Sequence, residues 1–142
     1  MAISKKQRKA VLAKSAGHCW YCGDKLPENG WHVDHVEPVR REIKSGDVCE
    51  SPFGEVPESI KKLLDDGRMA SPENDKIENM VPSCAPCNLF KGVFSVDQFR
   101  QEIALQITRA RKRSVNFRTA ERFGMLSVNT EPIVFWCEKQ GA

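Results

Sequence analysis

The residues best suited to chemistry are two Cys-x-x-Cys pairs far apart in the chain, Cys19-Trp-Tyr-Cys22 and Cys84-Ala-Pro-Cys87. Four thiolates delivered by two tight turns suit tetrahedral Zn²⁺, a borderline-soft ion with Zn–S bonds of about 2.3 Å. A closed shell of four sulfurs leaves no coordination position for a substrate. A zinc held this way is structural, and it staples the N-terminal region to a segment distant in sequence. Redox chemistry is the lesser use of such pairs, and two knuckles at this spacing favour zinc over it. Cys49 and Cys137 have no partner motif and read as free thiols, one exposed and one half-buried.

A second set of residues surrounds these pairs. His32-Val-Asp34-His35-Val-Glu-Pro38 lies between them, Asn79 precedes the second, and Asn88-Leu-Phe-Lys91-Gly92 follows it at once. An adjacent Asp-His pair offers an oxygen ligand and a nitrogen base from one short piece of backbone. Neighbours on a regular strand face opposite ways, so Asp34 and His35 share a site only where the strand ends, a position that Pro38 supports. Taken in order, Cys-x-x-Cys, Asp-His-x-x-Pro, Asn-Met-Val-Pro and Cys-x-x-Cys-Asn-x-x-Lys-Gly resemble the HNH endonuclease family in its four-cysteine, zinc-bearing form, over residues 19–92.

The resemblance implies an α+β fold: a small ββα-metal core stapled by zinc, with flanking N-terminal and C-terminal helices. It also implies hydrolysis of DNA phosphodiester bonds to 5′-phosphate and 3′-hydroxyl ends. Asp34 and Asn88 would hold the catalytic ion, His35 would be the general base, and Asn79 would orient the His35 imidazole and set its tautomer. Such hydrolysis needs an activated water, an anchored divalent ion and a fixed geometry between them. A carboxylate and an amide oxygen are hard ligands, which points to Mg²⁺ or Mn²⁺ rather than a second zinc.

Plainer readings stand beside these. Asn88 is alternatively a helix cap and Asn79 a plain turn residue. Lys91 is either a phosphate contact or an ordinary solvated lysine. His32 shares strand parity with Asp34, which makes it a further ligand or phosphate contact if it reaches the same face. The chain departs from the family pattern in having Asn at the last motif position and a longer stretch between Pro38 and Asn79. A zinc-stapled nucleic-acid-binding module without chemistry is the rival reading, and only the Asp-His and Asn-x-x-Lys-Gly set argues against it.

Several elements must position these residues. Ser4 is placed to cap a first helix that stops by Gly17, and Trp31–Val36 reads as a strand. Ser95-x-x-Gln98 is a capping box. Val96, Phe99, Ile103, Ile107 and Ala110 follow it at helical spacing, which predicts a long amphipathic helix to about Lys112. Pro132–Trp136 reads as a closing strand. Residues 39–75, rich in Gly, Pro, Ser and acids, read as an insertion with one short helical stretch near 58–64.

With 142 residues, 40% hydrophobic and 29% charged, the chain has the size and balance of one soluble domain spanning 1–142. Its apolar runs fall far short of the roughly 20 residues that cross a bilayer, and its start has no long apolar stretch of the exported kind. The expected setting is cytoplasmic, where thiols more often hold metal than pair as disulfides.

The net charge is only +3, but the bases are concentrated. Lys5, Lys6, Arg8, Lys9 and Lys14 stand without an acid, and a second group runs from Arg100 through Arg111, Lys112 and Arg113 to Arg122. The expected partner is DNA held through its phosphate backbone, although solvated helix faces explain such charge equally well. One active site cuts both strands only by forming a homodimer or by acting twice. The acidic insertion suits a protein partner, or packing over the core, better than phosphate.

Overall fold

The computed structural model describes residues 3–39 and 71–141. The insertion, its short helical stretch and Cys49 lie almost wholly or entirely outside the described residues. What is described is a mixed α+β arrangement with five α-helices and one two-stranded antiparallel sheet.

Helix α1 (Lys5–Ala13) starts as its sequence dictates. The Ser4 hydroxyl accepts from the Gln7 amide and the Gln7 side chain accepts from the Ser4 amide, which satisfies two donors the first turn leaves open. Val11 is its one fully buried residue and packs into the core. The chain then turns sharply through Ala16 at φ 50° and Gly17 at φ 83°.

Strand β1 (His32–His35) pairs with β2 (Met80–Ser83), with His32 opposite Ser83, Asp34 opposite Val81 and His35 opposite Met80. All of β2 is buried. Pro82 has no amide to give the ladder, yet its carbonyl accepts from the Trp20 amide at 2.9 Å, which fastens the first cysteine turn to the sheet.

Helix α2 (Ala85–Lys91) follows β2 directly. Cys84 is its N-cap residue, Pro86 sits in its first turn where a missing amide costs nothing, and Gly92 at φ 50° ends it. The predicted long helix is α3 (Val96–Arg113), opened by the Ser95/Gln98 capping box. Ser114 then caps α4 (Val115–Arg122).

The closing segment differs from the expectation. Pro132–Phe135 joins no strand, and Trp136–Lys139 forms a short helix, α5. Its amides find partners elsewhere: Trp136 donates to the Tyr21 carbonyl at 2.8 Å and Cys137 to the Trp20 carbonyl at 3.1 Å. The tail therefore docks on the first cysteine turn rather than on a sheet edge. Tyr21, Phe99 and Phe135 meet there, with ring centroids 5.3–5.4 Å apart in edge-on and stacked pairs. Cys137 is more buried than its sequence context suggests, at 8% exposure, and burial raises its thiol pKa.

Candidate functional site

Both cysteine turns are built by backbone bonding around sulfur. In the first, the Cys19 amide donates to the Asp24 carbonyl at 2.8 Å and the Gly23 amide to the Cys19 carbonyl at 3.0 Å. Gly23 sits at φ 83°, and a Cβ there would lie 2.3 Å from the Trp136 ring, so both conformation and space require glycine. The second turn is the start of α2, and its Cys84 amide points at the Cys19 sulfur, 3.4 Å away.

The four Sγ atoms all lie within 4.8 Å of one another. Cys22 and Cys84 have their sulfurs 3.8 Å apart, matching the edge of about 3.8 Å in a tetrahedron with Zn–S bonds of about 2.3 Å. The donor set and its spacing fit zinc. A hydrogen bond from Cys87 holds Cys19 down at about 4, whereas Cys22 is pushed up to about 12, chiefly by burial. Cys87 is raised, first by its bond to Cys19 and then by burial. A cation that takes all four as thiolates must displace the protons the thiols carry.

Beside this centre, Asp34 and His35 occupy the last two positions of β1, and each side chain is held separately. The Asp34 carboxylate is buried, and its Oδ2 accepts from the Tyr21 hydroxyl at 2.5 Å and lies 3.2 Å from the Lys91 ammonium. Burial, then the Asp34 charge, drives the Tyr21 hydroxyl far above its ordinary pKa, so it remains a donor. The Lys91 ammonium also donates to the His35 carbonyl at 2.8 Å. One cation from α2 thus ties down both members of the pair.

Lys91 does not face solvent as the sequence suggests. At 1% exposure it is the largest fully buried side chain described, and it cannot meet a phosphate. Asn88 stands three residues before it on α2 and is half-buried. A carboxylate offers about four lone-pair sites, so Asp34 retains acceptor capacity beyond its two partners.

The Asn79 side chain makes no hydrogen bond to the His35 ring. Its Oδ1 accepts from the Glu37 amide at 2.9 Å, and its Nδ2 donates to the carbonyls of Glu37 and Asn74, each at 2.8 Å. The Asn79 carbonyl accepts from the Val36 amide at 3.0 Å. It clamps the backbone just past the pair, which restrains His35 through the main chain. The ring partner is instead Asp75, whose Oδ1 lies 3.0 Å from His35 Nε2. Nothing in the sequence marks Asp75, because this pairing spans 40 positions and depends on how the chain re-enters before β2. His32 shares parity with Asp34 but stands exposed at the start of the strand, apart from the buried partners of Asp34.

The basic segments are partly spent on the fold. Arg8 lies 3.9 Å over the Trp31 ring, and the Lys14 ammonium donates to the carbonyls of Ile77 and Met80 at 2.6 and 2.7 Å. Arg109 pairs with Glu102, and Arg111 grips both carboxylate oxygens of Glu121, joining α3 to α4. Lys112 and Arg113 are exposed and make no ion pair among the described residues. No helix among the described residues is long and apolar enough to cross a membrane. No family model, curated protein or solved structure matches the chain.

Proposed function

We propose that this chain is a zinc-stapled nuclease of the HNH kind that hydrolyses DNA phosphodiester bonds, with His35 as general base and Asp34 and Asn88 as the residues that would hold Mg²⁺ or Mn²⁺. The reading rests above all on the end of β1, where an imidazole and a carboxylate from adjacent residues are each fixed by their own partners beside a helix that begins at the cysteine centre. Fixed groups of that kind suit catalysis, because a general base must already lie in hydrogen-bonding reach of the water it deprotonates. A bound divalent ion would neutralise charge on the transferring phosphate. Lys91 and Tyr21 hold the Asp34 carboxylate in place, Asn79 holds the turn after His35, and the cysteine centre anchors α2.

One observation favours the rival, a zinc-stapled nucleic-acid-binding module without chemistry. Lys91 already compensates the charge of Asp34, so the pair needs no ion to exist. Incubation of the purified protein with supercoiled plasmid and Mg²⁺, Mn²⁺ or EDTA separates the two. Nicking that depends on the divalent ion is expected, and His35→Ala should lower it by roughly 10²–10⁴ while leaving fold, zinc content and DNA affinity intact. Binding without cleavage under every ion would favour the module.

A further inference from the structure

The His35 ring has its Nε2 atom 3.0 Å from Asp75 Oδ1, and both side chains are mostly shielded, at 23% and 15% exposure. An ionised carboxylate only accepts hydrogen bonds, so the nitrogen facing it must carry a proton. We infer that Asp75 is a positioning residue for His35: it fixes the Nε2–H tautomer and leaves Nδ1 as the nitrogen with the lone pair.

This inference rests on the nuclease reading and names a residue which that reading lacks. In the step it serves, Nδ1 takes a proton from water, and the water oxygen forms a bond to phosphorus as the bond to the 3′ oxygen breaks. The leaving oxygen takes a proton from solvent, and the imidazolium later returns its own to solvent. Asp75 favours the step twice, by holding the ring and by stabilising the imidazolium that forms. The same logic governs His-Asp pairs on unrelated folds, where the acid orients the base and is not itself protonated. Asp75 belongs to the segment that Asn79 clamps, because Asn79 bonds the carbonyl of Asn74 next to it. The turn that carries the acid and the backbone that carries the base are thereby locked together.

The experiment uses the full-length, zinc-loaded protein. Long-range ¹H–¹⁵N correlation spectra recorded with neutral imidazoles, and assigned by the loss of one signal set in His35→Ala, should show His35 as the Nε2–H tautomer. Asp75→Asn should shift it toward Nδ1–H, since an amide can donate to Nε2, and Asp75→Glu should restore Nε2–H. In plasmid nicking, Asp75→Asn should lower kcat by about 10²–10⁴ with KM unchanged, with partial recovery in Asp75→Glu. A wild-type Nδ1–H tautomer, or an Asp75→Asn variant with unchanged tautomer and kcat, would overturn the inference. Should Asp75→Asn fail to fold, the wild-type tautomer still decides. Wild-type protein that shows Nε2–H but cuts no DNA would instead refute the nuclease reading, and with it any catalytic use of a pairing that is nonetheless real.

Discussion

At the scale of single residues, the Lys91–Asp34 pair is the most deeply buried ion pair among the described residues. Its side chains are 0% and 7% exposed, so neither charge has water to fall back on. Removing one partner of a buried pair leaves the other uncompensated, typically at a cost of about 3–5 kcal/mol, whereas neutralising both is close to harmless. Lys91→Met should therefore destabilise by that amount in chemical denaturation, and combining it with Asp34→Asn should recover most of the stability. A Lys91→Met variant as stable as wild type would show that the ammonium is not committed to Asp34. On the nuclease reading the double variant should fold and bind DNA yet lose the cleavage shown by the wild type, because Asp34 would no longer serve an ion. Residue identities are legible where chemistry is local. The Asp-His step and the four cysteines announce themselves by type and spacing. Lys91 and Asp75 do not, since a lysine in a short motif gives no sign of being buried, and the partner of a ring is chosen by the fold.

At the scale of elements, the cysteine centre decides whether there is a site at all. It begins α2, which carries Asn88 and Lys91, and it receives the tail through the carbonyls of Trp20 and Tyr21. A structural zinc of this type is worth roughly 10–16 kcal/mol near neutral pH, as much as or more than the roughly 5–15 kcal/mol that separates a typical domain from its unfolded state. Cys84→Ser, or removal of zinc by a strong chelator, should thus unfold the protein rather than slow it. Circular dichroism together with elemental analysis tests this, and a folded, zinc-free Cys84→Ser protein would refute it. The helices that can be read from sequence are those with side-chain caps, Ser4 with Gln7 and Ser95 with Gln98, because a capping box marks its own boundary. The closing segment misleads for the opposite reason. Ile133-Val-Phe has the composition of a strand, but composition does not supply a neighbouring edge. Its residues are instead held by the Arg100 side chain at the Ile133 carbonyl, 2.6 Å, and by the docking of α5.

At the scale of the whole molecule, the question is how much of its positive charge is available to a polyanion. The count from sequence treats every base alike, but Arg8, Lys14, Arg109 and Arg111 are engaged within the fold. Lys5, Lys6 and Lys9 on α1, with Lys112 and Arg113 at the end of α3, are exposed and form no ion pair among the described residues. Each phosphate neutralised adds about 0.9 to the slope of log affinity against log salt, so the slope reports the bases in use. Reversing Lys112 and Arg113 to Glu should lower affinity across unrelated DNA sequences and flatten the slope by about 0.9 for each phosphate no longer neutralised. Arg111→Ala should act differently. Its charge is already matched by Glu121, so the slope should stay nearly constant while the junction of α3 and α4 loosens. Fluorescence anisotropy over a salt series distinguishes these outcomes. A slope unchanged by reversal of Lys112 and Arg113 would place the end of α3 away from the DNA and leave α1 as the surface that holds the backbone.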